Sequence, residues 1–563
     1  MSKGSFCLVL HGHLPYVLHQ GNWPHGEEWL FEAAAETWLP LLSAIAEVHE
    51  QGGHTGLSLG LTPVLLEQLS ADHFKRRFPQ WLADRRKQAE ADRAEFKAWG
   101  DGHLQYLAEQ WILHFGGLLE RFEAIGRDIP GAFAAHWKAE RIEILSSNAT
   151  HGYLPLLRSD DSARAQIRTG LRTSERILGR RPTGFWMPEC AYRPAGSWSA
   201  PVLDGSPINR RGVEELLAEE GVRWVVVDAH LLRGARSEGI RTPHGYQKVG
   251  WDQASWDKER PWRSVLEPHI IGSTGQDSGV VAVARHPEVS EQVWSGKVGY
   301  PGDGRYLEFH KKHGQQGLRY WRVTSPRTDL GEKERYQPDQ VSGAVYSHAQ
   351  HFQAVLKGIL QGQLDQNPQH GPGMVCAPFD AELFGHWWHE GPRFLRDLWL
   401  TLSADPDIEL QTVSQRLDAR PPQCVAWLPE GSWGEGGDHR VWLNEPLRWT
   451  WEVVHRAESR IKELISLVDH QGNAELRTAL SAAAREALLM QASDWQFVIH
   501  TQGAVDYGIK RFAGHASAFD RLCDLTWAIH TGQDPDPALR SALELHQAQN
   551  PGVFEDLDLQ DWQ

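Results

Sequence analysis

The sequence predicts an α/β fold built on parallel strands, and three observations carry that reading. Short apolar runs alternate with segments of helical spacing, the runs are continuously apolar, and histidines and carboxylates gather just after them. Seven runs qualify as strands: Phe6–Leu10, Gly56–Leu61, Ile142–Ser146, Gly184–Met187, Arg223–Asp228, Gly279–Ala284 and Met374–Phe379. Strands covered on both faces have no solvent side to mark with polar residues, so they lose the alternation of a half-exposed sheet. Trp29–His49, Ser162–Leu178 and Arg210–Glu220 carry helical spacing between them. Gly221 ends the last of these, as a helix C′ residue should.

Other stretches break the rhythm. Residues 71–139 are charged, helical and too long for a strand-to-helix connection, which predicts an inserted helical unit. Residues 231–263 and 306–340 are polar and aperiodic, and loops of that length are usually functional. After residue 407 no strong strand recurs, while Pro446–Val468, Ala474–Gln491 and His515–His530 have helical spacing. The expected organisation is a catalytic unit over 1–406 containing the insertion, and a C-terminal helical unit over 407–563 that contributes to the cleft.

Composition narrows the function. The 563 residues suggest three or four structural units at about 150 residues each. A net charge of −16, from 57 basic and 73 acidic residues, argues against gripping nucleic acid or an anionic membrane. With 41% hydrophobic and 23% charged residues the chain is globular rather than disordered. No apolar run approaches the roughly 18 residues a bilayer demands, and the opening MSKGSFCLVLHGHLPYV is too short for a signal core. Five scattered cysteines form neither a disulfide framework nor a metal motif. A cytoplasmic protein is expected, with a monomer favoured. The 26 tryptophans outnumber 18 phenylalanines and 11 tyrosines, and their broad faces suit flat ligands such as sugar rings as well as a core.

The polar residues fall on one rim. His11 and His13 follow the first strand, Asn148 and His151 the third, Glu189 the fourth, Asp228 and His230 the fifth, and Asp380 the seventh. C-terminal strand ends are where barrel enzymes carry their active sites, so the chain reads as an enzyme. No metal or other cofactor is expected. His11-x-His13 and His386-x-x-His389 have ligand spacing, but a zinc-dependent sugar deacetylase or mannosidase would set an aspartate beside the first histidine, where Gly12 stands. Two carboxylates beside aromatics explain more: Glu189 in GFWMPECAY and Asp380 in FDAELFGHWWHEG. Partial desolvation raises a carboxyl pKa toward neutrality, and a facing pair is the equipment of glycoside chemistry. Trp23, Trp29, Trp186, Trp294, Trp387, Trp388, Trp433 and Trp442 are then sugar-stacking candidates.

Together these motifs resemble glycoside hydrolase family 57, and within it the 1,4-α-glucan branching enzymes. Five blocks match in order: HGHLPY (11–16), THGYLPLL (150–157), GFWMPECAYRP (184–194), FDAELFGHWWHEG (379–391) and SWGEGGDHRVWLN (432–444). A sixth, SDWQF (493–497), is similar to the family's helical element beside the active site. The resemblance implies a distorted (β/α)7 barrel with a helical insertion and an all-helical C-terminal domain. It implies Glu189 as nucleophile and Asp380 as acid/base, with His11, His13 and His151 at the donor subsite. Trp29, Trp294, Trp433, Trp442 and Trp495 fall where the family places substrate-contacting aromatics, and Asp494 lies beside the last.

The implied reaction is a double displacement on an α-1,4-glucan, donor and acceptor both, that forms α-1,6 branches with retention. Retention predicts a carboxyl separation of about 5–6 Å. Branching members carry a tyrosine on a loop after the fifth strand; here that loop departs from the family's Arg-Pro-rich pattern, and Tyr246 is the candidate. An α-amylase-like hydrolase or a 4-α-glucanotransferase is the alternative, because transfer and hydrolysis share every catalytic residue.

Overall fold

The computed structural model describes residues 2–22, 25–202, 206–242, 245–248, 264–295, 298–314, 317–468 and 472–563. It is an α/β structure. Seven parallel strands run through it: β1 (Gly4–Gly12), β2 (Leu57–Leu61), β3 (Glu143–Ser147), β4 (Gly184–Trp186), β5 (Trp224–Val227), β6 (Gln276–Ala284) and β7 (Gly373–Asp380). They lie in the order β7–β1–β2–β3–β4–β5–β6, so the last strand sits beside the first. β1 pairs with β7 from Gly4↔Gly373 to His11↔Asp380, which sets the first histidine beside the aspartate. Between the two ends of this run, the His286 backbone N–H donates to Cys376 O at 3.0 Å.

Burial explains why the strands were legible. Every residue of β1, β2 and β3 is buried. Only half of β6 reads as an apolar run, because Gln276–Gly279 lie at or near the surface and Val280–Ala284 inside. β6 also turns the sheet, pairing antiparallel with His269–Ser273. Cys424–Trp427 and the hairpin Arg236–Thr242/Gly245–Lys248 continue from there.

Two strands therefore follow residue 407, where none was expected. Ile408–Leu410 pairs with Gly4–Phe6, the part of β1 that β2 leaves open because its own ladder begins at Leu8. Three residues that borrow an existing edge need no long apolar run. The hairpin likewise occupies part of the expected 231–263 loop, which begins in the short helix Ala229–Arg233 and of which 243–244 and 249–263, like Trp23, lie outside the described residues.

Between β2 and β3 stand α1 (Asp72–Ala98), α2 (Gly102–Ala124) and α3 (Ile129–Lys138). Asp101 and Asp128 cap the last two by accepting the Leu104 and Gly131 amides at 3.0 Å. α4 (Asp160–Leu178) joins β3 to β4 and ends at Gly179 in the left-handed conformation. The C-terminal helices are α5 (Arg448–Leu467), α6 (Ala474–Met490), α7 (Asp494–His500), α8 (Val505–His530) and α9 (Pro537–Gln549). α8 starts ten residues before the expected His515. Gly508 weakens its helical signal yet serves the packing, since a Cβ there would lie 2.7 Å from Val498 Cγ2 of α7. Among the described residues no helix is long and apolar enough to cross a membrane.

Candidate active site

Strand ends bring the expected polar residues together, and strained backbone marks the place. His151, Glu189 and Cys190 have φ of 60°, 60° and 48°. Such left-handed conformations cost non-glycine residues about 1–3 kcal/mol each and are held only where surroundings over-determine them. Here the surroundings are two later segments. Tyr192 and Gly431 exchange backbone hydrogen bonds of 2.8 and 3.0 Å, laying 431–433 along the Glu189 turn. Gly152 bridges Ala492, and the Ser493 N–H donates to His151 O at 3.2 Å, which pins the start of α7 to the β3 rim.

Glu189 is held at both ends. Its carbonyl accepts the Trp433 N–H at 3.0 Å, and its Oε2 accepts the Trp433 indole N–H at 2.9 Å. Its Oε1 accepts a longer bond from the Ser493 hydroxyl, 3.4 Å, and lies 3.7 Å from His151 Nδ1. With Ser493 donating to Glu189, its oxygen accepts from His151 Nδ1–H at 3.0 Å. His151 Nε2 then accepts from His11 Nε2–H at 3.0 Å. His11 Nδ1, buried and unpartnered among the described residues, completes a relay of one direction. Burial holds both histidines well below their ordinary pKa, hence neutral, as this pattern of single donors requires.

The other wall carries Asp380. Burial pushes it up to about 7 against the opposing pull of His13 and Arg285. Burial also lifts Glu189 to about 8, with the charges of Asp380 and Asp494 adding, against the Trp433 and Ser493 hydrogen bonds. Glu382 rises to about 8 by burial and by the Asp380 charge, and it accepts the His13 N–H at 3.0 Å. His13 is oriented by Thr62 Oγ1 on Nδ1 and by the Asp494 carboxylate on Nε2, each at 3.0 Å. Its ring stacks on His151 with centroids 4.0 Å apart, and His11 stacks on Trp186 at 4.4 Å.

His13, His151 and Asp494 bring ligand atoms within 4.8 Å of one another, a grouping that spacing alone had not suggested. Those atoms are already engaged with one another, with Ser493 and with His11. A cation would have to displace this network. His386, from the other considered pair, faces Glu36 at 2.6 Å instead.

The aromatics divide. Trp433 belongs to the cluster; Trp294 is 41% exposed, with its ring 6.3 Å from Trp433 and 6.5 Å from Phe379. Trp29 is partly buried against His25 and Tyr507, and Trp387 is exposed beside Phe309. Trp442 and Trp495, expected as sugar contacts, are each 1% exposed. Trp442 stacks under Tyr153 at 4.6 Å, and the Trp495 indole N–H is spent on Leu489 O at 2.9 Å. Trp186 and Trp388, also raised as stacking candidates, are equally buried. Tyr246 sits in the Gly245–Lys248 strand with its hydroxyl donating to Glu238 O at 3.1 Å. None of its hydrogen bonds or ring contacts among the described residues reaches Glu189 or Asp380.

Sequence reasoning missed Ser493, Thr62, Arg285 and Glu382. Thr62 and Arg285 directly follow β2 and β6, so the rule that found Glu189 and Asp380 would have found them. Ser493 and Glu382 lie inside quoted motifs, but nothing local distinguishes them from their neighbours.

Residues 7–312 match the model of glycosyl hydrolase family 57, and residues 453–562 match that of the 1,4-alpha-glucan branching enzyme C-terminal region. A 1,4-alpha-glucan branching enzyme of Thermococcus kodakarensis is 37% identical over 98% of this chain and 77% of its own. The crystal structure of a branching enzyme of this family from Pyrococcus horikoshii superposes with a TM-score of 0.88, covering 100% of this chain and 97% of that one at 35% identity. An α-amylase from Thermotoga maritima superposes with a TM-score of 0.81 at 27% identity, covering 99% of both chains. A family match over more than half the chain, with strand-end carboxyls in the expected blocks, leads to one conclusion: the chain belongs to glycosyl hydrolase family 57.

Proposed function

We propose that the protein is a 1,4-α-glucan branching enzyme that works by retaining double displacement. The observation that carries this reading is Glu189, set on a strained turn and held by Trp433, in a rim that also presents Asp380. Likeness to branching enzymes along the whole chain and in the C-terminal region supports transfer as the outcome.

In the first half-reaction Glu189 attacks the anomeric carbon of an internal α-1,4 bond while Asp380 protonates the departing oxygen. This leaves a glucosyl ester on Glu189 and a new non-reducing end. In the second, Asp380 takes the proton of a 6-hydroxyl on another glucan, and that oxygen displaces Glu189 to form an α-1,6 branch. Burial raises both carboxyls, which lets the pair hold one proton near neutral pH. Substrate sets which of the two carries it. The glycosidic oxygen accepts from a protonated Asp380, and positive charge developing at the anomeric carbon favours the Glu189 anion. The Trp433 and Ser493 donors work in the same direction, since they bond the charged form of Glu189.

We further read the parallel strands as a distorted (β/α)7 barrel. Neighbour-to-neighbour order and the His286–Cys376 bond between the end strands support this. Residues 71–139 are then an insertion, and 407–563 a largely helical unit that leans Ser493 and Asp494 into the rim. Hydrolysis is the competing reaction, because an α-amylase shares the fold at 27% identity.

Amylose incubation separates the two. Branching lowers iodine colour with few new reducing ends, and debranching of the product then liberates short chains; hydrolysis raises reducing ends in step with colour loss. Full activity in Glu189→Gln would refute the assigned nucleophile. In a crystal of the protein, a carboxyl gap of about 8 Å bridged by water, rather than about 5–6 Å, would refute double displacement.

A further inference from the structure

Outside the rim, α2, the irregular segment 317–340 and the side chains of His389 and Arg393 line a half-open cavity of about 350 Å³. Its lining is cationic and aromatic: Arg121, Arg319 and Arg393 with Trp111, His114 and His389, and no carboxylate. Arg319 is neutralised by Glu36. Arg393 has only the Ser342 hydroxyl, at 2.7 Å, and Arg121 has no ion pair among the described residues. Two positive charges thus face a space with nothing negative lining it. Arginines that share a concave lining with no carboxylate in it suit anion recognition.

The aromatic part of the lining, which shares α2 with Arg121, fits a different chemistry. Trp111 is fixed by its indole N–H on Arg319 O at 2.8 Å, and the rings of His114 and His389 stand 5.3 and 5.4 Å from it. Burial lowers His114 to about 4 and His389 to about 3, so both are neutral. Neither has a hydrogen-bond partner among the described residues. A neutral imidazole offers one donor and one acceptor, the complement of a sugar hydroxyl.

Gly117 also lines the cavity, inside α2. Glycine in a helix interior is destabilising relative to alanine. A Cβ at Gly117 would meet nothing within 4 Å, so packing within the protein does not call for it. Its effect is to keep the cavity open.

We propose that this cavity binds a phosphorylated glucosyl unit, with the phosphate on Arg121 and Arg393 and the sugar hydroxyls on His114 and His389 against Trp111. The inference goes beyond the proposed branching reaction and does not depend on it. Two sources supply such a unit, a free hexose phosphate or a phosphorylated residue within a glucan chain.

Calorimetric titration of the full chain with glucose 6-phosphate, a phosphorylated maltooligosaccharide, glucose and inorganic phosphate tests this. Binding of either phosphorylated sugar, with glucose and phosphate each at least about tenfold weaker, is the expected result, and the tighter of the two identifies the source. Arg121→Ala and Arg393→Ala should each weaken it by about ten- to a hundredfold, as loss of a charged hydrogen bond does. Gly117→Leu, which suits a helix and fills the space, should abolish it while branching of amylose and the melting temperature are kept. No binding at about 10 mM, equal binding of inorganic phosphate or of glucose, or unchanged binding to Gly117→Leu would each overturn the proposal.

Discussion

Trp433 grips Glu189 twice, with its backbone amide on the glutamate carbonyl at 3.0 Å and its indole N–H on the carboxylate at 2.9 Å. The first bond holds the left-handed turn; the second bonds the ionised carboxylate. Trp433→Phe separates them, keeping the ring and the main chain while removing one charged hydrogen bond. Such a bond contributes about 1.5–3 kcal/mol, so kcat/KM should fall by about ten- to a hundredfold with little change in melting temperature.

Ser493 is the link between Glu189 and the two neutral histidines. Ser493→Ala should lower kcat by about tenfold and leave KM close to wild type, because the hydroxyl bonds Glu189, the proposed nucleophile. A mainly raised KM would place Ser493 in the subsite instead.

The pH profile follows from the pair. With Glu189 at about 8 and Asp380 at about 7, the singly protonated state required for attack is centred near neutrality, and kcat/KM should be bell-shaped there rather than extend down to pH 4. Asp494 is one of the charges holding Glu189 up. Removing a neighbouring anion makes an acid easier to ionise, so Asp494→Asn should move the acidic limb to lower pH. A limb that stays in place or moves up would contradict the electrostatic account.

Stability should show the same burial. A carboxyl whose folded pKa is raised is favoured while protonated, so it costs stability as pH climbs from the ordinary carboxylate range through about 8. Glu189→Gln removes the charge that must be desolvated. Its melting temperature should exceed that of wild type at pH 8.5 by more than it does at pH 5, a difference that thermal unfolding at the two values measures.

Two tryptophans that look alike in sequence should behave differently. Trp294 is 41% exposed, so Trp294→Ala should raise KM for amylose with little effect on melting. Trp442 is 1% exposed beneath Tyr153, and Trp442→Ala should cost about 3–5 kcal/mol of stability, read by denaturant titration.

That contrast shows what was legible. Seven strands were readable because strands buried on both faces leave uninterrupted apolar runs, and Glu189 and Asp380 because they stand where such runs end. Ile408–Leu410 was not, since its stability comes from the open edge of β1 rather than from its own residues. A tryptophan beside a catalytic block gives no sign of which way its ring turns, so Trp442 and Trp495 resembled Trp433. Ser493 was hidden for a related reason: its meaning comes from His151 and Glu189, more than three hundred positions earlier.

The bridge between Gly152 and Ala492 bears on synthesis as well as on chemistry. Glu189 and Asp380 leave the ribosome well before Ser493 and Asp494. Until those residues dock, the His151 turn lacks its partner and the relay has no link to the nucleophile. A nascent or truncated chain that ends before α7 therefore carries both carboxyls without the Ser493 and Asp494 contacts that complete the rim.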